Sequence, residues 1–172
     1  MYVGFWKRLQ AFLWDYLIII GYIAALTFVL WLARAPEWLF ANRVGSQLAG
    51  ILTLTLPVTL YFSFSESSMK QATWGKSRLG LMVVDKDGHR IQFWRSFARA
   101  ALKFIPWEIA HTLIWQVNYL PETDPLWINA GFALVYGLIG LNIASLLMTK
   151  KRQTIYDLIA DTYILDVKRV TT

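Results

Sequence analysis

The sequence predicts an all-α integral membrane protein, four transmembrane helices with a small cytoplasmic β-hairpin or sheet, forming one domain over residues 1–172. Three observations predict it. Of the 172 residues, 56% are hydrophobic and only 16% charged, where a soluble domain is charged at about a quarter of its positions. Four apolar runs approach the roughly 20 residues that cross a hydrocarbon core of about 30 Å. The basic residues gather on one side of those runs, for only Arg34 and Arg43 lie in the loop after the first and none lies in residues 118–125. The positive-inside rule then sets both termini and the loop 65–96 in the cytoplasm, with the chain in the inner (plasma) membrane.

The first span is placed at residues 9–33. Its basic start resembles a secretory signal, but the apolar run is too long for one and contains Asp15. The second, 47–64, is short and carries Pro57, which should kink or locally break it. In the loop that follows, 80–85 is rich in β-formers, Asp87-Gly88 suits a two-residue turn and 89–94 alternates apolar with polar, the pattern of a hairpin. Two strands alone are marginal in water, so 162–167 is read as a third. The third span, 97–117, has Arg99, Lys103, Glu108 and His111 inside or near it. The fourth, 126–148, carries Ala133, Gly137, Gly140 and Ala144 as one small-residue stripe, read as packing within the monomer in preference to a dimer seam. Residues 154–161 read as a short amphipathic helix in the C-terminal segment 149–172. Trp6, Trp31, Trp38, Trp74, Trp94, Trp115 and Trp127 fall near span ends as an aromatic belt, whereas Trp14 and Trp107 are expected beside Asp15 and Glu108.

Three blocks carry a family resemblance: GFWKRLQAFLWDYL at 4–17, ATWGKSRLGLMVVDKDGHRIQFWRSFARA at 72–100 and KRQTIYDLIADTYIL at 151–165. With these blocks in this order, the chain resembles the RDD family of small multi-span membrane proteins. The Arg and two Asp of the family's name map onto Arg8, Asp15 and Asp157. The chain departs from the family pattern at Lys7, where a second Arg is common, at Tyr156, where His often precedes the Asp, and at Ala160-Asp161, where Ala-Gly is common. The resemblance implies transport, with cation/proton exchange proposed for some members.

The residues themselves permit two roles at these positions. Arg8 and Asp15 are two helical turns apart, about 10 Å along one face, too far for a direct bond without a linking group. Asp157, with Arg152 five residues before it, lies near the cytoplasmic level of Arg8 and has Arg8, Lys7 and Arg78 as possible partners, which suits an ion-pair latch on the C-terminal segment. Asp15 sits about 9 Å below the cytoplasmic edge, and Asn142 reaches a similar depth from the fourth span. Glu108 and His111 share a face near the midplane. A carboxylate there binds either a proton or a cation, which compete at one group. Asp15, Glu108, Asn142 and His111 are therefore the candidate ion and proton ligands, with a packing role for each as the alternative.

Several functions are set aside. Gly75-Lys76-Ser77 lacks the first glycine of a phosphate-binding loop, since Lys70 stands there. His89 and His111 have no Cys partner for zinc, Cys being absent, and no Ser-His-Asp grouping is evident. Only Glu108 and His111 speak for an enzyme, and none is expected. The net charge of +6 suits anionic lipid better than nucleic acid. The expected function is membrane transport, with monovalent cations and protons as partners, no cofactor and a homo-oligomeric state. The rival is an adaptor or scaffold whose basic loop, Lys70, Lys76, Arg78, Lys86, Arg90, Arg95 and Arg99, docks a protein or anionic lipid.

Overall fold

The computed structural model describes residues 1–34, 40–122 and 124–167, so Trp38 and residues 168–172 lie outside it. Helix α1, Phe5–Leu32, runs 28 residues, longer than the first span was expected to be. Its buried positions are Ala11, Asp15 and Ile19, one residue per turn, while Leu13, Leu17, Phe28 and Leu32 point outward. Apolar side chains exposed on this scale need lipid around them.

Helices α2, Arg43–Gly50, and α3, Leu56–Ser67, are joined by a π-helical segment, Ile51–Thr55, into one apolar helix of 25 residues. This is longer than residues 47–64. Pro57 introduces no break. The carbonyl it leaves without an i+4 donor, that of Thr53, accepts the hydroxyl of Tyr22 at 2.5 Å. The helix instead widens just before the proline, and Pro57 falls in the first turn of α3, where a missing N–H is tolerated.

After α3 the chain forms a short helix α4, Trp74–Arg78, and strand β1, Leu81–Val84. Helix α5, Phe93–Tyr119, is 27 residues long, and α6 is Pro125–Met148. A five-residue helix α7, Ile155–Ile159, leads to β2, Tyr163–Asp166. Strands β1 and β2 pair antiparallel, Leu81 against Asp166 through Val84 against Tyr163. The expected hairpin is corrected here. Its turn forms, with Gly88 at φ 82° and the Asp85 carboxylate accepting the N–H groups of Asp87 and His89 at 2.9 Å each. Its second arm does not, because α5 begins at Phe93 and leaves room for one bridge only, Val84 to Arg90. The partner of β1 is β2, which Tyr2 flanks by a bridge to Leu165.

The helices run antiparallel in sequence. Arg99, in the first half of α5, meets Glu66 at the end of α3, and Tyr119 at its far end meets Ser46 of α2. Thus α5 follows the α2–α3 helix over its length. Among the described residues, three helices, Phe5–Leu32, Arg43–Ser67 and Pro125–Met148, are long and apolar enough to cross a membrane. One core cluster, Val3, Ala11, Leu81, Val83, Ile91 and Ile164, lies under the sheet, and a second, Ile19, Val58, Phe62 and Ala100, lies between α1, α3 and α5. The small-residue stripe of α6 is not used inside the monomer: Ala133, Gly137, Gly140 and Ala144 are all exposed. The close approach is made by Gly131, where a Cβ would come within 2.6 Å of Leu113.

Candidate functional site

At the end of the bundle that carries the sheet, four helices and the C-terminal segment share a buried charge network. Asp157 is its centre. Thr154 caps α7, and Asp157 returns the cap: its own N–H donates to Thr154 Oγ1 while its Oδ2 accepts the Thr154 N–H at 3.2 Å. The same Oδ2 lies 2.5 Å from Arg8 Nη1, and Oδ1 lies 2.7 Å from Arg99 Nη2. Arg99 also reaches Glu66 at 2.5 Å, and the second oxygen of Glu66 takes Lys76 at 2.5 Å. Five ionic side chains, all but fully buried, thus form one chain from α1 through α7, α5 and α3 to α4. Burial alone would raise the Asp157 carboxyl, but the guanidinium groups of Arg99 and Arg8 and the hydrogen bonds around it hold it well below the usual carboxylate range.

Arg152 takes part by its backbone. Its carbonyl accepts Arg8 Nη2, it sits at φ 54°, and its side chain is exposed. Lys7 pairs with Asp166 at 2.5 Å, and Arg78 stacks between Trp14 and Trp74, at 4.8 and 4.3 Å. Arg99, Glu66 and Lys76 were not singled out for this network from the sequence. Their partners lie 10 to 58 residues away, and no local spacing records such contacts.

Asp15 is buried and hydrogen-bonded by neutral donors. Its Oδ1 accepts Tyr61 at 2.9 Å and the Gly75 N–H at 2.7 Å, and its Oδ2 accepts Thr73 at 2.6 Å. These donors come from α3 and the start of α4, so Asp15 fastens α4 against α1. The approach is close enough that a Cβ on Gly75 would fall 2.0 Å from the Ala11 carbonyl oxygen. Trp14 therefore packs on Trp74 rather than beside the carboxylate.

Glu108 is set in different surroundings. It lies near the middle of α5, accepts Gln47 at 2.9 Å and Thr55 of the π segment, and has His111 Nδ1 3.8 Å from Oε1. Trp107 packs on His111, ring centroids 4.7 Å apart. Asn142 donates to the Leu138 carbonyl at 2.9 Å, leaving its Oδ1 buried without a partner. A cavity of about 500 Å³ has Asp15 and Asn142 in its wall but not Glu108 or His111, so the four candidate ion ligands divide between two places. Of the seven basic loop residues, Lys76 and Arg99 are buried in the network while Lys70, Arg78, Lys86, Arg90 and Arg95 are exposed. Asp85, Asp87 and His89 bring ligand atoms within 4.8 Å of one another at the turn, with the last two exposed.

No curated protein and no solved structure matches the chain. The apolar helices and the Arg8 and Asp157 pair agree with a match over nearly the whole length: the RDD family model covers residues 2–161, and the chain belongs to the RDD family.

Proposed function

We propose that the chain is a four-span inner-membrane exchanger of monovalent cations for protons, both termini cytoplasmic, with Glu108 and His111 as the groups that carry the ion. The observation that carries this reading is a carboxylate near the midpoint of a 27-residue helix, contacted by neutral donors from the neighbouring helix and by one imidazole. No cation is committed to Glu108 among the described residues, so a proton or a monovalent cation competes for it. Intramembrane carboxylates of this kind mark ion paths, and the π segment beside it supplies the sort of irregular helix found at such sites. Asp15, by contrast, is engaged by three donors and serves packing.

The length of α5, roughly 40 Å at 1.5 Å per residue, supports a fourth span. Of its charges, Arg99 is neutralised by Glu66 and Asp157. In vesicles holding a pH gradient, the protein should dissipate it on addition of Na+, K+ or Li+, and Glu108→Gln should remove that response. A response equal to wild type in the Glu108→Gln protein would sink the reading. The adaptor reading is supported by the exposed Lys70, Arg78, Lys86, Arg90 and Arg95. A stoichiometric partner lost on charge reversal of Arg78 and Arg90, in a protein without exchange activity, would favour it.

A further inference from the structure

The cavity of about 500 Å³ lies outside the exchange site and is bordered on one side by the charge network. Its size falls in the range of small-molecule pockets. Helix α1 packs chiefly on α4, and α6 chiefly on α5, so the cavity stands between α1 and α6 where they scarcely meet. Phe12, Phe104, Ala110, Ile139 and Ile143 make its wall apolar.

Its polar lining has one cation without a direct ion pair. Arg8, Arg99 and Lys76 border the cavity with their charges paired to Asp157 and Glu66, and Asp15 borders it with its oxygens occupied. Lys103 also borders it, with no carboxylate of the described residues within ion-pair reach. Its ammonium lies over aromatic rings instead, 3.6 Å from the centroid of Phe62 and 5.1 Å from that of Phe12. Cation–π contacts compensate a desolvated ammonium only in part. The second unmatched group is the buried Oδ1 of Asn142, an acceptor in need of a donor. An apolar wall, a cation without a direct ion pair and an unpartnered acceptor together describe an amphiphile whose head carries an anion and a hydroxyl.

We propose that this cavity binds a single-chain anionic phospholipid, with its acyl chain along Ile139 and Ile143, its phosphate at Lys103 and a head-group hydroxyl at Asn142. A lipid enters such a site laterally, through the gap between α1 and α6. One chain suits the volume. The phosphate gives Lys103 the charge-assisted partner it lacks within the protein.

Native mass spectrometry of the full chain tests this, with lysophosphatidylglycerol against lysophosphatidylcholine of equal chain length as probes. The glycerol lipid should bind at least about tenfold more tightly. Lys103→Gln should reduce that preference and Lys103→Arg restore it, while Ile139→Trp, at an exposed position on the cavity rim, should weaken both lipids. Equal binding of the two lipids to the wild type would overturn the proposal, as would a preference undiminished by Lys103→Gln or binding unaffected by Ile139→Trp. Should Lys103→Gln not fold, the wild-type comparison and Ile139→Trp decide the matter alone. Because Glu108 lies outside the cavity, loss of lipid preference and loss of exchange are separable results.

Discussion

Asp15 shows how the cost of a buried carboxylate can be met without a direct ion pair. Both oxygens accept from neutral groups, two of them hydroxyls and one a backbone N–H. Asp15→Asn keeps an oxygen for Tyr61 and Gly75, and the Thr73 hydroxyl can turn to accept the new amide. Its expected cost is about 1 kcal/mol, whereas Asp15→Ala strands three donors and should cost about 1–3 kcal/mol for each one left unpaired. Thermal unfolding in detergent, read by tryptophan fluorescence, separates the two. Gly75→Ala should cost about 1–3 kcal/mol by overpacking, because the contact it creates is with backbone and no rotamer relieves it. The oddity of Asp15 was legible in the sequence, since a lone acid in an apolar run is conspicuous. Its donors were not, because they lie 46, 58 and 60 residues along the chain.

Among the elements, the long helices follow from composition, and their ends do not. Helix α2 starts at Arg43 and α5 at Phe93, each before its apolar run, since polar residues extend a helix once packing has begun it. The second hairpin arm failed for a related reason: residues 89–94 alternate as a strand would, but Phe93 and its neighbours also begin a helix that packs on α3. A short window cannot arbitrate between the two. The charge network is the device that fixes α7 and the sheet to the bundle, and its response to pH has a definite sign. The Asp157 carboxyl is held low in the folded protein, so its contribution is complete above the unfolded value near pH 4 and is lost only as pH falls through the lower folded value. Unfolding followed from pH 7 downward should therefore show little loss of this contribution until below about pH 4, and Asp157→Asn should lessen that acid-dependent loss. Breaking the network from the other end tests its unity. Glu66→Gln leaves Arg99 and Lys76 buried without their shared anion, a change expected to cost about 3–5 kcal/mol, and to raise proteolysis of the C-terminal segment.

For the whole molecule, the placement of α6 decides how the protein meets its surroundings. Its inward face, Ile128, Val135 and Leu146, is buried against the bundle. Its small-residue stripe points the other way, and a Cβ on Gly137 or Gly140 would meet nothing within 4 Å. The stripe was expected to serve the monomer on the ground that four spans already need close helix contacts. That need is met at Gly131, which admits Leu113, so the stripe is left for lipid or for a second copy. Small residues give lipid no particular advantage, but they let two helix backbones approach closely, which is how helices associate where burial from water is no longer a driving force. Gly137→Leu should accordingly leave the folded monomer as stable as wild type while shifting an oligomer toward monomer, measured by cross-linking in bilayers over a range of protein-to-lipid ratios. An oligomer unchanged by Gly137→Leu would assign the stripe to lipid and move any contact between copies elsewhere. The same variant also bears on exchange. The Gln47, Thr55 and His111 contacts of Glu108 come from its own subunit, so on the proposed exchange reading monomeric Gly137→Leu protein should still dissipate a pH gradient at a similar rate per subunit.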